Sequence, residues 1–202
     1  MIEQDLAEAY FESNGFWVRP LKVMPTKSSR KKYEYLPVIT VINPLVTENI
    51  LGQNPRLFTG DLKKIRSATV AILGWSNSNF SHAELTSDAK LFKFLNHEIN
   101  PQRIDDSFLC HTDESGMGIG SDLRILVVPA LPTGAERMRK FITKIKDLRI
   151  AGVLTLRSIL ENLLWQAPMI DPMNDRDVFQ FLHLMRAYDL SKNPQLEIFP
   201  KD

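Results

Sequence analysis

Three segments, residues 35–44, 68–75 and 123–130, are short and apolar at nearly every position rather than at alternate ones. Val38, Ile39, Val41 and Ile42 in the first, Val70 to Leu73 in the second and Ile125 to Val128 in the third are rich in β-branched side chains, which favours strands. A strand that is apolar on both faces must be covered on both, so these segments predict the central strands of a sheet with helices on either side, an α/β domain. Pro37 interrupts the first of them. It offers no ladder donor and is expected at a strand start, an edge or a bulge.

The intervening stretches supply the rest. Residues 2–14 read as an amphipathic helix, with Ile2, Leu6, Ala9, Tyr10 and Ser13 on one side, Asp5, Glu8 and Glu12 on another, and Asn14-Gly15 as its stop. Residues 16–24 read as a strand that forms a hairpin with 33–43 around a basic turn at 25–32. A short helix is expected near 61–66, and Ser87 is placed to cap a helix carrying Leu91, Phe92 and Leu95. Residues 100–122, with Pro101, Asp105-Asp106 and alternate glycines at 116, 118 and 120, read as a long polar loop. Thr133 and Glu136 have capping-box spacing ahead of a helix through Met138, Phe141, Ile142 and Ile145, and residues 150–155 complete a right-handed βαβ unit with 123–130. Two helices follow, one through Ile159, Leu163 and Leu164 and one through Val178, Phe179, Leu182 and Met185. No repeat or linker splits the chain, so a single domain is expected over 1–202, with its core at about 2–155 and a C-terminal helical extension at about 156–202.

Composition narrows the function classes. With 25 Lys and Arg against 24 Asp and Glu in 202 residues, the net charge is +1, and no global field steers the chain to nucleic acid or an anionic membrane. Contact with nucleic acid then requires a local patch. The single cysteine, Cys110, allows no intrachain disulfide, no run reaches the length of a membrane span, and the first residues are acidic rather than signal-like, so a cytoplasmic protein is expected.

The order helix, strand, strand, strand, helix, strand over about residues 2–130, with Glu12-Ser13-Asn14-Gly15-Phe16, Val41-Ile42-Asn43-Pro44 and Gly74-Trp75 as local texture, resembles the restriction-endonuclease-like (PD-(D/E)XK) nuclease superfamily. The resemblance implies a core with a mixed central sheet flanked by helices. It also implies a metal site made by an Asp on the second strand and a Glu-x-Lys on the third, at positions occupied here by Val38, Ala71 and Leu73. Phosphodiester cleavage on such a scaffold needs carboxylates for a hard divalent cation and a lysine near the attacking water. Hydrocarbon side chains supply neither. A shifted register changes nothing, because neither 36–44 nor 68–75 contains an acid or a lysine. The resemblance thus implies a degenerate member with no catalytic residues, no bound metal and no cofactor.

Other clusters carry two readings each. Asp5, Glu8 and Glu12 form a solvated helix face or, with Glu34 or Asp122, a site whose acids have migrated; Glu8 and Glu34 are the test positions for the second. Lys22, Lys27, Arg30, Lys31 and Lys32, beside Tyr33 and Tyr35, either solubilise a hairpin tip or hold a phosphate backbone. Cys110-His111 with Asp113 and Glu114 lacks any zinc-site spacing, and the glycines of 116–120 match no phosphate-loop pattern. Trp17, Trp75 and Trp165 are expected in the core or at a subunit contact. The expected function is therefore non-catalytic, a structural or binding role toward nucleic acid or a protein partner. Homodimerisation through Trp165, Met169, Phe179, Phe181, Met185 and Tyr188 is also expected. Two alternatives stand beside it: an active nuclease with migrated residues, and a protein-interaction module without affinity for nucleic acid.

Overall fold

The computed structural model describes residues 1–21, 35–52, 54–109, 123–170, 176–188 and 190. Helix α1 (Ile2–Ser13) ends as the Asn14-Gly15 pair predicts: Gly15 takes φ 85°, a left-handed conformation that costs glycine nothing, and its N–H reaches the Glu12 carbonyl. The buried residues of α1 are Glu3, Ala7, Ala9, Tyr10 and Phe11, so Ala9 and Tyr10 of the expected face are buried, Leu6 packs against the core and Ile2 is exposed. The inward face therefore extends beyond the expected one to Glu3, Ala7 and Phe11, and Glu3 can be buried there because it has hydrogen-bond partners inside.

Among the described residues β1 (Trp17–Leu21), β2 (Val38–Ile42), β3 (Ser67–Ile72), β4 (Arg124–Val128) and β5 (Gly152–Thr155) form one sheet in the order β1-β2-β3-β4-β5. The first two pairings are antiparallel and the last two parallel, so the sheet is mixed. Pro37 stands just ahead of β2, and Pro20 lies on the edge strand β1, both places that tolerate a missing donor. β2, β3 and β4 are buried almost throughout, as their two-sided apolarity demands. The other edge, β5, is partly shielded by a single bridge from Arg56 to Val153, with Leu57 N–H on the Val153 carbonyl at 2.9 Å. Gly152 permits this approach, since a Cβ there would lie 2.2 Å from Leu57 Cδ1.

Each face of the sheet has its own core. On one, α1, α6 (Leu156–Gln166) and α7 (Asp177–Ala187) bring Tyr10, Phe11, Ile159, Leu163 and Phe179 against Ile39, Val41, Val70 and Val127. On the other, α3 (Asp88–Glu98), α4 (Pro101–Leu109) and α5 (Ala135–Asp147) bring Leu91, Leu95, Ile104, Phe141 and Ile145 against Val38, Ala71, Leu126 and Val128. Consequently the chain leaves β4 toward one face and β5 toward the other.

Several local expectations are met. Ser87 caps α3, β5 runs parallel to β4 after α5, and the short helix near 61–66 is a 3-10 turn at Thr59–Lys64. Others are corrected. The first part of the supposed loop is helix α4, whose Ile104 and Ser107 are buried, and the remainder lies outside the described residues. Helix α2 (His82–Thr86) starts at a Ser81-x-x-Glu84 capping box, a signal that the sequence carries openly. The Thr133 to Glu136 box does not form: Asp88 takes the Thr133 N–H at 2.6 Å, and Glu136 pairs with Lys140 instead. Trp17, Trp75 and Trp165 are all exposed, so none is a core residue. Among the described residues no helix is long and apolar enough to cross a membrane.

Candidate functional site

Val38 and Ala71 are direct partners across the β2–β3 ladder, and Leu73 follows two positions on, where its N–H bonds the Val127 carbonyl at 2.9 Å. Alternation along a strand puts all three side chains on one face. They belong to one apolar cluster, each with no exposed surface, beneath Leu91 and Leu95 of α3, Ile104 of α4 and Phe141 and Ile145 of α5. The fold thus brings the three positions together, and what it assembles is hydrocarbon. Nothing in that cluster can ligate a hard cation or take a proton from water.

Of the migrated-acid positions, Glu8 and Glu12 on α1 are on the other side of the sheet. Glu8 Oε2 lies 3.5 Å from Arg176 Nη1 and its Oε1 accepts from Gln4, while Glu12 pairs with Arg176 Nη2. Burial raises the Glu12 carboxyl above its ordinary value despite Arg176, and Glu8 adds repulsion. The sheet separates α1 from the face that carries Val38, Ala71 and Leu73. Glu34, Asp122, the basic residues Lys22, Lys27, Arg30, Lys31 and Lys32, and the 110–120 stretch with Cys110 and its glycines lie outside the described residues.

A polar network that sequence reasoning missed occupies the turn after β3. Glu3, almost fully buried, accepts hydrogen bonds from the Ser76 N–H at 2.9 Å and the Ser76 hydroxyl. Gly74 leaves room for it: a Cβ at that position would stand 2.6 Å from Glu3 Cγ. Asn77 accepts from the Gly74 N–H at 3.0 Å and donates to the Ile72 carbonyl at 2.8 Å, which ties the turn to the strand it leaves. Arg103 of α4 donates to the Asn77 carbonyl at 2.8 Å and pairs with Glu98, whose second oxygen lies 3.1 Å from His97 Nδ1. Trp75, edge-on to Phe80, stands beside this network at a cavity of about 670 Å³. The spacings in sequence are long, so only Gly74, next to a predicted strand, gave any signal.

Most polar atoms of the network have partners within it, and buried Arg103 Nε is the exception. Among the described residues no group of three or more His, Cys, Asp or Glu side chains is disposed to hold a metal. Its evident work is to anchor α1 and α4 to the end of β3. Burial alone would raise the Glu3 carboxyl, yet the hydrogen bonds from Ser76 outweigh it and hold the group below its ordinary value. A carboxylate with a depressed folded pKa contributes stability above its unfolded pKa of about 4.3 and loses it as pH falls through the folded value. Glu3→Gln is therefore expected to be less stable than the parent at pH 7, with the gap closing below about pH 4. Urea unfolding at both pH values reads this, and a gap that does not change with pH contradicts it.

Compared with known proteins, no family model matches the chain, and neither a curated protein nor a solved structure matches it significantly.

Proposed function

We propose that this chain is a degenerate restriction-endonuclease-like protein that works without catalysis, through binding of nucleic acid or of a protein partner. The observation that carries this reading is the convergence of Val38, Ala71 and Leu73 on one fully buried apolar patch beneath α3, α4 and α5. The strand directions support the family reading: β1, β2 and β3 alternate and β4 runs parallel to β3, with three helices, α2 to α4, where the expected order has one. On this reading the basic residues from Lys22 to Lys32 are the nucleic-acid contact. The exposed Trp165, Met169 and Phe181 offer a surface for a second copy, and a monomeric mass in light scattering at micromolar concentration would remove that part.

The test is a cleavage and binding assay on one preparation, with single- and double-stranded DNA and RNA, Mg²⁺ or Mn²⁺, and two salt concentrations. No metal-dependent cleavage is expected, together with binding that weakens steeply as salt rises. Cleavage that copurifies with the protein and disappears in Glu8→Ala would establish the migrated-acid nuclease instead. Absence of binding at both salt concentrations would leave a protein-interaction module.

A further inference from the structure

A cleft of about 1380 Å³ lies where the chain leaves β4 and β5 in opposite directions. In open α/β sheets such a divergence leaves a crevice outside the carboxyl ends of adjacent parallel strands, a general place for ligands. Residues 129–133 after β4 and Thr155 at the end of β5 lie in the cleft, with α5 along one side and the first turn of α6 along the other.

Its charge is what distinguishes it. Four cations come from three separate segments: Arg56 from the bridge beside β5, Arg139 and Lys146 from α5, and Arg157 from α6. Two carboxylates share the cleft, and both are committed. Asp88 holds the Thr133 and Gly134 N–H groups and Arg137, and Glu161 pairs with Arg157 at 2.7 Å. Arg139 and Lys146 make no salt bridge among the described residues, although Arg139 lies within the field of Glu136 on the same helix, and Arg56 rests on the Phe58 ring at 4.7 Å. On the neighbouring stripe of the same helix the situation reverses: Lys140 pairs with Glu136 at 2.6 Å and lies outside the cleft. A chain with a net charge of +1 has therefore gathered four cations in one concavity, three of them outside any salt bridge among the described residues.

We infer that this cleft between α5 and α6 binds a small, multiply charged anion of the phosphate-ester or polyphosphate class. Arg139 and Lys146 are two helical turns apart, about 10 Å along the axis, a spacing that suits an extended anion with more than one charged group. Leu131, Met138 and Ile142 line the same wall and give a carbon skeleton an apolar seat. No lining residue is aromatic, and the stacking platform that single-stranded nucleic acid uses is missing there. The proposal does not rest on the nuclease-like reading, since Val38, Ala71 and Leu73 line no part of the cleft.

Isothermal titration of the full chain with inorganic tripolyphosphate at constant ionic strength tests it. Saturable one-to-one binding is expected, weakened about tenfold or more in Arg139→Gln/Lys146→Gln, because charge-assisted hydrogen bonds are lost. Lys140→Gln on the same helix is expected to leave affinity unchanged. All these side chains are exposed, so the variants keep the fold, and circular dichroism verifies this. No saturable binding by the parent protein, or equal weakening by Lys140→Gln, overturns the proposal. So does a single-stranded oligonucleotide that displaces tripolyphosphate at equal phosphate concentration, which makes the cleft a nucleic-acid surface.

Discussion

Val38→Asp is expected to destabilise the protein by at least about 3 kcal/mol and to confer no metal-dependent cleavage. On the nuclease-like reading, this substitution restores the acid that the scaffold ordinarily carries on its second strand. Here the new carboxyl would face Ala71 across the ladder and Leu91, Leu95 and Ile104 above it, in a cluster of apolar side chains with no exposed surface. A carboxylate in such a place has neither water nor a cation, so it protonates or the helices lift away. Adding Ala71→Glu and Leu73→Lys enlarges the problem, because each new polar group enters the same close-packed cluster. Urea unfolding and a nuclease assay with Mn²⁺ provide the measurements. A variant within about 1 kcal/mol of the parent, or one that gains cleavage, would show that the site is more open and recoverable than its packing implies.

Arg103→Met is expected to cost about 3–5 kcal/mol, the range for removing one partner of a buried ion pair. Glu98 and Arg103 are both nearly enclosed, and Arg103 also donates to the Asn77 carbonyl, so its loss leaves a buried carboxylate and a loosened turn after β3. Met retains the volume of the aliphatic stem and isolates the effect of charge. The double variant Glu98→Leu/Arg103→Met is expected to recover most of the loss, since an ion pair replaced by apolar groups of similar size is often neutral. Arg103 Nε has no partner, which marks the pair as imperfectly satisfied and makes that recovery more complete. Denaturant midpoints of the three proteins decide it. A single variant that loses under about 1 kcal/mol would mean that water reaches Glu98 freely.

The apolar strands were legible because their signal is local. Val38 to Ile42, Val70 to Ile72 and Ile125 to Val128 announce burial on both faces by composition alone, and Ser87 and Gly15 mark helix ends through the chemistry of single residues. Helix α4 was not legible. Pro101, Asp105 and Asp106 resemble a loop, and Ser107 is buried only because its hydroxyl serves the Leu36 N–H, a partner 71 residues away. The same limit applies to Thr133, whose capping role is pre-empted by Asp88 from another helix.

Sequence alone determined that the sheet's middle strands carry no acid or lysine, a property of residue identity that no arrangement alters. Tertiary structure decided where the charges went. Glu3 turned inward toward Ser76, Glu98 closed on Arg103, and Arg56, Arg139, Lys146 and Arg157 met in one cleft across about a hundred residues of chain. Strand and cap signals depend on neighbours within a few positions, whereas the energy of a buried or clustered charge depends on whichever groups the fold brings within several ångströms.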